Sequence, residues 1–230
     1  MPVYITMPET LMLTQMAIAS LGEVDLCIVD NGSIMGGGWL RSVANTYIRN
    51  KENLGYAKAV NQGLKLSKNI LIAVANNDIR VSSNWQKVAR EVFITPQVYS
   101  CHFKMTDYDT PFTYGDKIAY TGKERWCTSS FFVINTEQVL FYYDENFLNS
   151  YDDWDYQRTV RLAKFITAYT DKASYQHQHS HTQQLISGRE ETNKRNSTYF
   201  QEKWGDTAEN LFAKDFPDQM LINYWEGFNI

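Results

Sequence analysis

Residues Ile70 to Asp78 read ILIAVANND, an apolar run that stops abruptly on three polar side chains. The run has the length of a strand, and its lack of alternation suits a parallel strand covered on both faces. Working outward, Val3 to Met7 suits a first strand, and Glu9 to Leu21 carries helical spacing through Leu11, Met12, Met16 and Ile18. Asp25 to Val29 reads as a second strand that ends in the turn formers Asp30, Asn31, Gly32 and Ser33. Glycines 36 to 38 form a loop before a short helix at Trp39 to Ala44. Thr46 to Arg49 is a third strand, and Tyr56 to Leu66 is a helix with Ala57, Val60 and Leu64 facing inward. Strand and helix alternate, which points to an α/β fold whose ligands gather at the carboxyl ends of its strands. Asp30 and Asp78 both stand at such ends.

Beyond a helix at Trp85 to Phe93 the pattern turns β-rich, with strands expected at Val98 to Met105 and Trp126 to Asn135 and a short helix at Glu137 to Phe141. Asp152 to Lys164 reads as a helix with acidic residues in its first turn, where the helix dipole favours carboxylates. Ile166 to Tyr169 and Ala173 to His181 read as strands, and Thr182 to Thr198 as a polar, mobile loop able to close over a ligand.

A chain of 230 residues fits one domain with a C-terminal appendage, here residues 1–205 and 206–230. The tail carries enough apolar residues, Leu211 and Leu221 among them, to pack on the core or to pair two subunits. A net charge of −4 without any basic stripe argues against nucleic acid as a partner. Cys27, Cys101 and Cys127 form no CxxC pair, so a reducing compartment fits best. The apolar runs are too short for a transmembrane segment, and together these features give a cytoplasmic expectation.

Two aspartates at strand ends define a chemical problem. A nucleoside diphosphate beside a carboxylate is repelled unless a divalent cation bridges them, so Asp78 implies a metal if such a ligand binds. Asp30 could take a hydrogen bond from a base imide or a ribose hydroxyl; the alternative is that both residues simply terminate strands. His177, His179 and His181 share one face of an apparent strand. One imidazole could complete a metal shell, a three-histidine zinc site is the rival, and a solvent-facing stripe is the plain alternative. Crowding of Asp152, Asp153 and Asp155 lifts the proton affinity of one of them toward that of a general base, unless they only cap the helix. The glycines match neither GxGxxG nor a P-loop, and no GxSxG elbow is present.

In sequence order these blocks resemble family 2 glycosyltransferases, inverting enzymes of the GT-A fold. The blocks are VDNGS at Val29 to Ser33, NKENLGYAKAVNQGL at Asn50 to Leu64, ILIAVANND, FYYDENFLNSYDDWDYQRTVRL at Phe141 to Leu162, HQHSHT at His177 to Thr182, and YFQEKWG at Tyr199 to Gly205. The likeness extends to a rhamnosyltransferase-like subgroup. It implies a mostly parallel central sheet flanked by helices, with a smaller β-rich acceptor side. It also implies a UDP-, GDP- or dTDP-sugar donor, an acceptor that is a glycan, lipid-linked or protein, and Mn²⁺ or Mg²⁺.

Carried over by position, the resemblance puts Asp30 on the nucleotide base with Asn31 and Ser33 beside it, and Asn53, Gly55, Tyr56 and Asn61 around the donor. Asn76 and Asn77 lead into the metal ligand Asp78, with His177 or His179 as second ligand. Asp153 matches the catalytic base, supported by Asp155 and Arg158. A variant DXD element, Asn76 Asn77 Asp78, leaves a single carboxylate for the metal. The competing expectations are a nucleotidyltransferase on a similar sheet and a nucleotide-sugar-binding protein without turnover.

Overall fold

The computed structural model describes residues 1–108, 110–121, 130–178 and 189–215. Its first half is a parallel sheet of β1 (Pro2–Val3), β2 (Cys27–Asp30) and β3 (Thr46–Arg49), in register Pro2 with Val29 and Cys27 with Thr46. The helices α1 (Pro8–Leu21), α2 (Gly37–Val43) and α3 (Tyr56–Leu66) connect or follow these strands. β3 and α3 have the bounds expected from sequence, and Ala57, Val60 and Leu64 are buried as the helical spacing required.

The second half is a mixed sheet. Its strands β4 (Leu71–Ala75), β8 (Phe131–Asn135), β6 (Val98–Asp107), β9 (Ile166–His177) and β5 (Ile79–Val81) lie in that order, and β7 (Ile118–Thr121) adds to β9. β6 and β9 pair in parallel. β4, the run read as a doubly covered parallel strand, instead pairs antiparallel with β8, and Ile70 and Leu71 at its start are exposed. An apolar run does not report strand direction, because both kinds of ladder accept the same side chains, and here it is buried only toward its C-terminal end, at Val74 and Ala75. Residues 166–177 form one strand where two were expected, with a register shift against β6 between Phe103 and Lys104. Glu137 to Phe141 is not helical: Val139, Leu140 and Phe141 pack one after another against the cluster of Tyr99, Phe132 and Tyr156.

α4 (Trp85–Val92) covers one face of the sheets, and its Trp85 indole donates to the Leu21 carbonyl at 3.1 Å. α5 (Asp152–Leu162) starts at the acidic cluster. α6 (Arg189–Trp204) and α7 (Ala208–Asp215) follow, with Phe200, Ala208 and Leu211 gathered on Phe147.

α6 corrects the expected loop at Thr182 to Thr198: residues 189–198 are helical, and 182–188 lie outside the described residues. The helical period was hidden because the buried stripe carries a polar residue, Asn196, fully enclosed beside Phe200. Its amide donates to the Leu148 carbonyl (2.9 Å), the Ser150 carbonyl (3.0 Å) and the Ser150 hydroxyl (2.8 Å). These bonds hold a turn in which Asn149 and Tyr151 adopt φ of 55° and 64°, left-handed values that cost a non-glycine residue free energy. Asn196→Ala is therefore expected to destabilise the protein by about 1–3 kcal/mol, the usual cost of stranding buried carbonyls. Urea unfolding checks it; a midpoint unchanged from wild type would show that the turn needs no such anchor.

Candidate active site

The two strand ends expected to carry chemistry hold their side chains differently. At the end of β2, Asp30 is fully buried and held by three partners. It accepts from the Tyr47 hydroxyl at 2.6 Å and the Ser33 amide at 2.9 Å, and it pairs with the Arg49 guanidinium. Arg49 reaches it across Gly37, where a Cβ would stand 2.6 Å from the guanidinium, so the first glycine of α2 makes room for an ion pair. The Ser33 hydroxyl accepts the Ile5 amide (2.9 Å), tying the ends of β1 and β2 together. Sequence reading placed a lone carboxylate here and missed Tyr47 and Arg49, the residues that occupy it.

Asn31 holds the following turn to β2. Its amide donates to Asn53 Oδ1 (2.8 Å) and the Gly55 carbonyl (3.2 Å), while its oxygen accepts from Asn50 Nδ2 and the Leu54 amide (both 3.0 Å). Asn53 also accepts the Gly55 amide at 2.9 Å. Gly55 has φ 89°, and a Cβ there would approach Leu148 within 2.9 Å, so this start to α3 demands glycine on two counts. Asn61 is buried and clips α3 to the next block: it donates to the Tyr143 carbonyl (2.9 Å) and Glu145 (3.0 Å) and accepts the Tyr143 amide (2.9 Å). These residues shape the site; none of the described bonds of Asn31 or Asn61 leaves an amide proton for a ligand.

The end of β4 is different. Asn77 bonds Thr14 of α1 at 3.0 Å, and the Asn76 amide donates to the Ser130 carbonyl at 2.8 Å. Asn76 Oδ1 and Asp78 Oδ1 are buried without a hydrogen-bond partner among the described residues. Pairing of Ile79 with His177 brings the last residue of β9 alongside, and His177 Nε2 lies 3.2 Å from Asp78 Oδ1. The other ring nitrogen, Nδ1, is 3.3 Å from the Ser130 hydroxyl. If Nδ1 carries the proton and donates it to Ser130, Nε2 offers its lone pair on the same side as the Asp78 oxygen. His179 and His181 lie outside the described residues, and among the described residues no cluster of three or more His, Cys, Asp or Glu side chains is arranged to hold a metal.

The first turn of α5 carries the three aspartates Asp152, Asp153 and Asp155. Asp152 is buried, with Oδ2 enclosed and without a hydrogen-bond partner among the described residues. Burial first, and the neighbouring Asp153 carboxylate second, push its carboxyl up to about 7. Asp153 is half-buried, and Asp155 is buried against Trp204, whose indole donates to it at 2.9 Å. Asp155 faces α6, and Asp153 is the more open carboxyl. Tyr56 opens α3, its amide bonded to Asn149 Oδ1 at 2.9 Å and its ring edge-on to Tyr143 at 5.8 Å. Burial holds its phenol well above the ordinary value, and the charges of Asp152, Asp153 and Asp78 push it further the same way. The charges of all three carboxylates thus reach the Tyr56 hydroxyl. A cavity of about 380 Å³ lies elsewhere, at the opposite ends of the strands between Cys27, Leu64, Leu71 and Trp85, and contains none of these groups.

The model of the glycosyl transferase family 2 domain matches residues 12–157, and the chain belongs to that family. Its fold is GT-A, as in solved glycosyltransferases of low identity. S. aureus TarS 1-349 superposes with a TM-score of 0.58 at 12% identity, over 92% of this chain and 74% of that one. The mannosyltransferase PcManGT from Pyrobaculum calidifontis, solved with GDP-Man and Mn²⁺, gives 0.55 at 15% identity over 74% and 52% of the two chains. GalNAc-T7, solved with UDP, GalNAc and Mn²⁺, gives 0.55 at 11% over 76% and 43%. No curated protein sequence matches. No helix among the described residues is long and apolar enough to cross a membrane.

Proposed function

We propose that this glycosyltransferase moves a sugar, with inversion, from a nucleoside-diphosphate sugar to an acceptor hydroxyl, with Asp153 as general base. The observation that carries the reading is that Asp78, paired with His177, and the α5 aspartates Asp152 and Asp153 all lie near enough to Tyr56 for their charges to act on its hydroxyl, within a family 2 domain. The donors present in the solved neighbours, UDP-GlcNAc on TarS and GDP-Man on the mannosyltransferase, support a nucleotide sugar as ligand.

The donor set fits a hard divalent cation: a carboxylate oxygen without a hydrogen-bond partner and an imidazole nitrogen 3.2 Å from it, the mix that Mn²⁺ accepts and that Mg²⁺ accepts less readily. Asp78 and His177 would hold the ion, and phosphate oxygens would complete its shell. When bound it neutralises charge on the leaving diphosphate. The chain's own groups do the rest. Asp153 takes the proton of the acceptor hydroxyl as that oxygen bonds to the anomeric carbon, while the bond from that carbon to the diphosphate oxygen breaks on the opposite face and the diphosphate leaves with the electron pair. The Asn31 and Asn61 clips fix the walls of the site, so the reacting groups need little rearrangement.

A thermal-shift screen of UDP-, GDP- and dTDP-sugars, rhamnosyl donors included, with and without Mn²⁺ tests this reading. At a hundredfold excess over Kd a ligand adds about 2.7 kcal/mol, which corresponds to a rise of roughly 5–10 °C for a chain of this size. The matching donor is expected to give that rise with Mn²⁺ present, and Asp78→Asn to lose the Mn²⁺-dependent part. If no nucleotide sugar raises Tm under either condition, the donor assignment fails. Mass spectrometry of glycan, lipid-linked and protein acceptors then separates the acceptor classes. Size-exclusion with light scattering decides whether the 206–230 tail pairs subunits in a cytoplasmic-like reducing buffer.

A further inference from the structure

The block YFQEKWG closes α6, and its lysine and tryptophan reach back to the first turn of α5. Lys203 Nζ lies 2.7 Å from Asp155 Oδ1 and 2.8 Å from Asp144 Oδ2. Asp155 takes a further bond from the Trp204 indole at 2.9 Å, and Asp144 takes one from the Tyr199 hydroxyl at 2.9 Å. The lysine ammonium lies over the rings of Phe147 and Trp204, at 5.8 and 5.4 Å, and the Arg158 guanidinium covers Trp204 at 5.2 Å. One cation thus joins three elements: α6, the segment of Asp144 that Asn61 clips to α3 through Tyr143, and the helix that begins with Asp152 and Asp153. We propose that Lys203 is the positioning residue of the transfer reaction, the group that fixes the first turn of α5 and thereby aims Asp153. The inference rests on the reading of Asp153 as the base.

The physical case begins with burial. Asp155 is only 2% exposed, and a carboxylate that deep is tolerated only when paired. Burial lifts the proton affinity of Asp155, and the bonds from Lys203 and Trp204 only partly offset it. Asp144 is the complement: burial is outweighed by Lys203, the Asn146 amide and Tyr199, so its carboxyl stays below the ordinary range. Taking the lysine away leaves two carboxylates facing each other with no charge between them. Relief comes either by proton uptake at Asp155 or by movement of one carboxylate, and both loosen the turn that carries Asp153. That turn has little reserve, since it follows directly on the left-handed Tyr151, and the Asp155 amide bonds the Tyr151 carbonyl at 3.0 Å.

Lys203→Met and Lys203→Arg test the proposal by two independent readouts. Native-state hydrogen exchange needs no turnover: Lys203→Met is expected to speed exchange of the Trp154, Asp155 and Tyr156 amides at least tenfold relative to α3, with Lys203→Arg near wild type because guanidinium keeps the charge and spans two carboxylates. In transfer assays with the matched donor, Lys203→Met is expected to lower kcat at least tenfold with donor KM within about twofold, and Lys203→Arg to recover most of it. Unchanged exchange in Lys203→Met, or a Lys203→Arg variant as loose and slow as Lys203→Met, overturns the positioning role. Should Lys203→Met fail to fold, Lys203→Arg against Asp155→Asn with Lys203→Met, which removes charge and counter-charge together, gives the same comparison. A wild-type protein that transfers nothing sinks the enzyme reading alone, because the exchange arm still decides whether Lys203 holds the turn.

Discussion

Asp153→Asn is expected to lower kcat for sugar transfer by about 10²–10⁴-fold while leaving donor affinity within a few-fold of wild type, the range associated with loss of a positioned proton acceptor. The asymmetry follows from where the side chain stands. Asp78 and His177 face the proposed diphosphate, so their loss is expected to appear in donor binding. Asp153 stands in the first turn of α5 and is half-buried, open enough for an acceptor to approach. An amide keeps the shape and can still orient a hydroxyl, but it cannot take its proton. Steady-state kinetics with the matched donor, alongside the thermal shift, separates the two effects. A variant that transfers at close to the wild-type rate with intact donor binding would remove Asp153 from the mechanism and leave Asp152 as the carboxyl to try next.

How much of this was legible in the sequence depended on how local each feature is. β3 and α3 were read to the residue because turn formers flank them and Ala57, Val60 and Leu64 repeat at helical spacing. The likeness to family 2 was confirmed by the match over residues 12–157, a range that ends before the HQHSHT and YFQEKWG blocks. The approach of His177 to Asp78 was expected from motif order, although no local signal spans the 99 positions between 78 and 177. What escaped was non-local or polar. The antiparallel direction of β4 depends on β8, some sixty residues on, and α6 was taken for a loop because Asn196 occupies its buried stripe. Asp30 looked available because the sequence does not reveal that Tyr47 and Arg49, two and four residues beyond Asn45 on a neighbouring strand, point back at it. Lys203 and Trp204 were quoted as a signature without a role, since the partners that give them one, Asp144 and Asp155, lie about fifty residues upstream.

Asp152→Asn is expected to stabilise the protein near neutral pH, and the sign of the pH dependence identifies the cause. Burial, with the Asp153 charge beside it, raises the Asp152 carboxyl from 3.8 to about 7. Below about pH 4 the group is protonated in both the folded and the unfolded chain, so it costs nothing. As pH climbs from 4 to 7 the unfolded chain releases the proton and the folded one keeps it, and folding stability falls throughout that window. Above 7 the full cost remains. About three pKa units at 1.36 kcal/mol each put it near 4 kcal/mol. An asparagine carries no such charge and leaves the enclosed Oδ2 position neutral at every pH. The difference in urea-unfolding free energy between variant and wild type should therefore be small at pH 4 and grow toward about 4 kcal/mol by pH 7.5, with chelator present to keep cations from the site. Taking the difference cancels the opposite slope of Asp144, where burial is outweighed by Lys203. A difference independent of pH would mean that Asp152 is ionised through the whole range and that its enclosure is relieved by movement. A difference that grows as stated would identify Asp152 as a carboxyl held at a cost to stability beside the base, the pattern expected where a fold gives up stability to set the proton affinity of a reacting group.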